Sequence, residues 1–246
     1  MIVFVHGVPE TSAIWRKVQA GTARPSVALE LPGFGNPRPE GFPATKEAYL
    51  DWLVDTLVGI RQPIDLVGHD WGAILTYGLV LTRAEEVPLR SWAADIGGII
   101  LPDYVWHDFA QIWQTPGAGE EFFVSQQAQP AADRAAGLAA LFGLSLEDAE
   151  EMEAAGDEVM ASCILDLYRS ATPNPHASWG PISPSTVPGL VLAPLDDPFG
   201  DPKKSEQAAG LLGAQYAPIE GASHFWPYSA PEPALAVLEP FWSSVD

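Results

Sequence analysis

The stretch Ile64 to Tyr77 leaves the chain little freedom. A largely apolar strand segment, Ile64 to Val67, runs into Gly68-His69-Asp70-Trp71-Gly72, and Ala73 to Tyr77 then reads as the start of a helix. A strand passes into a helix over so few residues only through a tight turn. The flanking positions of that turn tolerate almost no Cβ, which accounts for glycine at 68 and 72. The residue between them is lifted to the top of the turn, as in a nucleophile elbow. Here that residue is an aspartate. A carboxylate held in line with a saturated carbon can displace a leaving group and become an ester, whereas a serine would suit acyl transfer.

Three more loops follow strand-like runs. His6-Gly7-Val8-Pro9-Glu10 follows Ile2 to Val5, Pro194 to Phe199 follows Leu190 to Ala193, and Gly221-Ala222-Ser223-His224-Phe225 follows Gln215 to Ile219. Strands are expected near 2–5, 26–30, 64–68, 91–95, 189–193 and 214–219. Helices are expected near 12–20, 45–60, 71–83, 203–213 and 232–244. This alternation predicts an α/β fold with a mostly parallel sheet of about six strands. Residues 102–180 break the alternation with helical patches near 104–114, 118–127, 130–142, 146–155 and 157–170. Breakers punctuate them at Pro116-Gly117, Pro130, Pro173 and Pro175. The expected organisation is a core of residues 1–101 and 181–246 with an inserted helical cap, 102–180.

With these four loops in order, the chain resembles the α/β-hydrolase fold family, and within it the aspartate-nucleophile branch of epoxide hydrolases and haloalkane dehalogenases. The resemblance covers nearly the whole chain, and Glu30-Leu31-Pro32-Gly33-Phe34-Gly35 matches the family's PGFG loop. Two strands that usually precede the HG-x-P strand are missing here. The resemblance implies Asp70 as nucleophile, His224 as the base that activates water, and an acid that orients it. Asp197, just before Pro198, is the favoured acid, and Asp95 after the fourth strand is the alternative. The oxyanion hole should use the backbone N–H groups of Trp71 and Val8. His6 should hold its loop by hydrogen bonds, while His107 and His176 read as surface or packing residues.

The leaving group divides the two branches. An epoxide oxygen needs a proton donor. Leu165-Asp166-Leu167-Tyr168-Arg169 resembles the epoxide hydrolase cap segment, which nominates Tyr168. Ile112 or Trp113 stands where a second tyrosine is expected, and Tyr104 lies two turns upstream. A halide needs N–H donors instead. Trp71 qualifies and Trp106 or Trp113 could join it, but Val8 stands where one dehalogenase group carries asparagine. Epoxide opening is therefore the expected reaction, with dehalogenation second and a non-catalytic binding protein a remote third. The pocket should be lined by Tyr104, Trp106, Ile112, Trp113 and Phe225, with Trp179 nearby, and should suit a small apolar substrate. No cofactor or metal is called for.

Composition narrows the remaining classes. Twelve basic residues face 32 acidic ones, a formal charge of −20, which argues against nucleic acid or an anionic membrane as partner. No apolar run approaches the roughly 20 residues that span a bilayer. The N-terminus lacks a basic leader, so a cytoplasmic location is expected. The single Cys163 allows no internal disulfide and reads as a buried filler. The acidic run Glu147 to Glu153 reads as a solvated helix face.

Overall fold

Strand and helix alternate because each short apolar run is followed by a polar cap and an amphipathic stretch. The computed structural model describes residues 1–245. The first half contains β1 (Ile2–Val5), α1 (Arg16–Gly21), β2 (Ser26–Leu29), α2 (Lys46–Val58), β3 (Ile64–Gly68), α3 (Trp71–Thr82) and β4 (Leu89–Ala94). Five helices follow before the next strand: α4 (Asp108–Gln114), α5 (Ala118–Gln127), α6 (Ala131–Phe142), α7 (Leu146–Ala155) and α8 (Glu158–Ser170). The chain ends with β5 (Gly189–Pro194), α9 (Pro202–Leu212), β6 (Gln215–Ile219), α10 (Trp226–Ser229) and α11 (Pro231–Ser244).

The six strands form one sheet in the order β2-β1-β3-β4-β5-β6, and every pairing is parallel. Alternate residues of a strand face opposite sides, so both faces must be covered. Val3 and Val5 pack with Leu53, Leu57, Tyr77 and Ala208 from α2, α3 and α9. Ile2 and Phe4 pack on the other side with Val18, Leu238, Phe241 and Trp242 from α1 and α11. Trp15 stacks on Phe4 with ring centroids 4.7 Å apart. Helix starts are fixed locally. Thr45, Ser145 and Asp157 each accept a backbone N–H of the turn that follows, and Asp201 accepts two, ahead of a proline at the first helical position.

A parallel sheet with helices on both sides opens its ligand crevice at the carboxyl ends of the strands. His6 to Glu10 follow β1, Asp70 follows β3, Asp95 follows β4, Asp197 follows β5 and His224 follows β6. Helices α4 to α8 enter between β4 and β5. The acidic run on α7 is more than a solvated face. Asp148 is buried and accepts from Arg16 Nη2 and Lys17 Nζ, both at 2.7 Å, while Glu151 pairs with Arg16 and accepts from the Tyr228 hydroxyl. These contacts tie the helical insertion to α1 and α10. No helix among the described residues is long and apolar enough to cross a membrane.

Candidate active site

Asp70 sits at φ 50°, ψ −118°, a conformation a side chain pays for in steric strain and that persists only where its surroundings impose it. The surroundings are close backbone. A Cβ on Gly68 would run into the Gly72 carbonyl, and one on Gly72 into the Val5 carbonyl. The Asp70 amide donates to Asp95 Oδ1 at 3.0 Å and its carbonyl accepts from Ile74 at 3.0 Å. The loop after β1 meets the carboxylate from the other side. Val8 N–H donates to Asp70 Oδ1 at 2.8 Å, and Gly7 leaves the space that the carboxylate fills. His6 fixes this loop, accepting from Leu31 N–H at 3.1 Å through Nε2 and bonding the Gly7 carbonyl at 2.8 Å through Nδ1. Trp71, whose N–H is the second expected donor, is the first residue of α3.

His224 and Asp197 complete one line of groups. His224 Nδ1 lies 3.0 Å from Asp197 Oδ2, and Nε2 lies 3.8 Å from Asp70 Oδ2. Asp197 is steadied by Phe199 N–H, which donates to Oδ1 at 2.8 Å. Burial presses the His224 imidazole toward its neutral form, but the charge and hydrogen bond of Asp197 outweigh it and hold the pKa above the usual histidine value. Burial raises the Asp70 carboxyl to about 6, with His224 pulling against the rise. The Asp70 charge adds to the rise on His224. Removing the Asp70 charge removes one of the influences that favour the protonated imidazole.

Asp95 sits in a different network. Its Oδ2 accepts from Trp226 Nε1 at 2.7 Å and lies 2.5 Å from His69 Nδ1, and its carbonyl accepts from the Tyr77 hydroxyl at 2.9 Å. Glu10 faces the other side of the same imidazole. Its Oε1 is 3.0 Å from His69 Nε2, off the line of a hydrogen bond, and its Oε2 accepts from Gly7 N–H at 3.1 Å. Burial opposes charge on His69, but Glu10 and Asp95 together raise its pKa well above the ordinary value. A buried imidazolium thus joins the loop after β1 to the turn after β3. Glu10, His69 and His224 present ligand-type atoms within 4.8 Å of one another.

Exchanging the two acids separates these roles. Asp197→Asn is expected to cut turnover roughly 10³-fold with little change in melting temperature, because the histidine loses its orienting charge. Asp95→Asn is expected to do the reverse and lower the melting temperature by several degrees, because the buried imidazolium loses a partner. Steady-state kinetics and thermal denaturation of the two purified variants check both expectations.

Above Asp70 lies a cavity of about 670 Å³, within the range of small-molecule sites. Tyr104, Trp106, Trp113, Tyr168 and Phe225 line it, together with Val8, Asp70 and His224. Ile112 does not. It is 37 % exposed, on the outward side of α4. Trp179 is also outside the lining and packs against Gly78 of α3. The tryptophans divide further. Trp106 Nε1 donates to the Ala171 carbonyl at 3.1 Å, whereas the Nε1 groups of Trp71 and Trp113 are buried without a protein acceptor.

His107, expected as a surface or packing residue, packs among aromatic rings in the cavity wall. It lines the cavity, its ring 4.6 Å from that of Phe199 and 6.4 Å from that of Tyr168. Its Nδ1 accepts Ala110 N–H at 3.2 Å as the N-cap of α4, which leaves the proton of the neutral ring on Nε2. Burial, with His224 nearby, lowers its pKa to about 4, so it stays neutral. Tyr168 and Tyr104 stay protonated. Burial raises both hydroxyls well above the usual tyrosine value, and the nearby Asp70 charge adds to the rise. The cavity thus collects neutral donors over a carboxylate, with a carboxylate-supported histidine beside it.

Residues 2–237 match the alpha/beta hydrolase family, and the chain belongs to it. Among its relatives are a haloalkane dehalogenase of Mesorhizobium japonicum, 28% identical over 193 residues (72% of this chain, 54% of that protein), and an epoxide hydrolase of Caballeronia sordidicola, 25% identical over 145 residues (54% of this chain, 41% of that protein). The chain spans about half the length of these relatives. Its fold is similar to that of the haloalkane dehalogenase DbeA of Bradyrhizobium elkani, with a TM-score of 0.74 at 22% identity over 99% of this chain and 90% of that one.

Proposed function

We propose that the protein is a hydrolase that opens an epoxide to a diol through an ester formed on Asp70. The observation that carries this reading is the neutral donor set in the cavity wall, Tyr168 with His107 beside it, in a space that also holds the Asp70 carboxylate. Asp70 attacks one carbon of the three-membered ring. The C–O bond breaks, and Tyr168 donates its proton to the departing oxygen while His107 Nε2–H is placed to share the developing charge. Alkylation removes the Asp70 charge, one of the influences that favour protonated His224, and so favours the neutral imidazole. His224, oriented by Asp197, then takes a proton from water, and the hydroxide adds to the ester carbonyl. The carbonyl oxygen gains charge beside Val8 and Trp71 N–H; on collapse the His224 proton passes to the departing alkoxide to release the diol, and the proton of the new Asp70 carboxyl returns to the Tyr168 phenolate, which restores the carboxylate.

The second reading is dehalogenation by the same aspartate and histidine. It is favoured by one observation, the unpartnered indole N–H groups of Trp71 and Trp113, which are halide-type donors. Tyr168→Phe separates the two. Epoxide hydrolysis is expected to fall roughly 10²-fold, whereas halide release from a bromoalkane would be little changed. Diol formation untouched by this substitution would remove Tyr168 as the donor.

The two ionisations set the expected pH profile. Asp70 must be charged to attack, so ester formation should fall about tenfold per unit below its pKa of about 6. His224 must be neutral to activate water, and the charge and hydrogen bond of Asp197 still raise its pKa once the Asp70 charge is gone, so hydrolysis of the ester should also slow as pH drops. Rapid-quench measurements should therefore show a larger burst of bound substrate near pH 6 than at pH 8. Equal bursts would place the titrating groups elsewhere.

A further inference from the structure

We infer that the mouth of the cavity is a binding site for a neutral hydrogen-bond-accepting group, such as an amide or ketone carbonyl, at the end of an otherwise apolar substrate. This deepens the reading of Asp70 as the point of attack and rests on it. The deep part of the cavity is aromatic, whereas α6 brings a cation to its outer wall. Arg134 lines both the main cavity and an adjoining one of about 190 Å³ behind α5, α7 and α8. Its Nε donates to Glu153 Oε2 at 2.6 Å and its Nη1 to the Gln129 carbonyl at 2.7 Å. These bonds, with a longer one from Nη1 to the Gln126 carbonyl at 3.5 Å, fix the guanidinium plane through Nε and Nη1, and the side chain is only 18 % exposed. Gln126 lines both cavities alongside it.

Charge selects among the groups that could meet these donors. Glu153 already neutralises Arg134, and Asp133 lines the same wall in a chain of net charge −20. A carboxylate tail would meet repulsion with no unspent cation to offset it. An ammonium tail would face the guanidinium donors. A carbonyl oxygen accepts from Nη2–H without either penalty. The substrate class is therefore an amphiphile with an oxirane at one end and a neutral acceptor at the other, joined by an apolar chain that lies along Trp113 and Phe122.

The test compares terminal epoxides of graded chain length that end in methyl, primary amide, carboxylate or ammonium. At the chain length that spans the cavity, the amide is expected to show a KM about tenfold below that of the methyl compound, the worth of one good hydrogen bond. Arg134→Leu and Arg134→Lys should each bring that ratio near one, with thermal melting used to confirm that the variants are folded. Calorimetric binding of the corresponding diols reads the same preference without any chemical step. It keeps the two readings apart, because diols that bind with the amide preference while no epoxide is turned over would count against the reaction and uphold the subsite. A carboxylate or ammonium preference, no preference at any length, or an amide preference that survives Arg134→Leu would each overturn the inference.

Discussion

His224→Gln protein mixed with an epoxide is expected to gain the full mass of the epoxide and to hold it. The first step needs only the Asp70 carboxylate and a proton from the cavity wall, and neither is touched by the substitution. The second step needs a base within reach of a water at the ester, and glutamine accepts no proton at neutral pH. Loss of general-base catalysis should slow ester hydrolysis roughly 10³- to 10⁴-fold, long enough for intact-mass analysis and for peptide mapping to place the adduct on Asp70. The 3.8 Å from His224 Nε2 to Asp70 Oδ2 makes the pair close enough to cooperate and leaves the imidazole beside the carbonyl once the ester forms. A bromoalkane tried in parallel identifies the alkylating class, since its adduct carries the alkyl group without an added oxygen. No adduct with either compound would leave a binding protein on an enzyme's fold.

Gly72→Ala is expected to cost more stability than any single change at the surface. The added Cβ would fall on the Val5 carbonyl, with the His6 carbonyl next to it. Val5 ends β1, paired in parallel to β2 and β3, and His6 follows it directly, so neither carbonyl can move without disturbing the sheet. A loss on the order of 3 kcal/mol or more is expected, read as a fall in the denaturation midpoint, or as failure to accumulate folded protein. Gly117→Ala is the control. That glycine, unlike Gly72, has positive φ, yet nothing lies within 4 Å of the position a Cβ would take, so only backbone strain of about 1 kcal/mol should appear.

Much of this was legible in the sequence because the constraints were local. Gly68 and Gly72 announce a turn that admits no Cβ. Strand and helix periods placed β1 to β6 within a residue or two of their observed ends. Asp197 before Pro198 marked the acid beside His224. The remainder depends on contacts across the fold. Glu10 and His69 are 59 positions apart, and no local pattern says that one will face the other's imidazole beneath Asp70. His107 looks like any residue at the start of a helix. Its place in the cavity follows from an N-cap bond that turns the ring inward and from the way α4 packs on α8. The outward turn of Ile112 beside the inward Trp113 is set by the same packing. Asp148 reads as one acid among several until Arg16 and Lys17 arrive from the far end of the chain.

The bond from Val8 N–H to Asp70 Oδ1 has a consequence for selectivity. In a serine hydrolase the equivalent amide waits for an oxygen that the incoming molecule supplies, so only acyl-type compounds can complete the cradle. Here the protein brings that oxygen itself and the cradle is occupied before anything arrives. Compounds designed to imitate a tetrahedral acyl centre, such as phosphonates and trifluoromethyl ketones, would find no place to set their oxyanion, and this chain should pass unlabelled through reagents that mark serine enzymes.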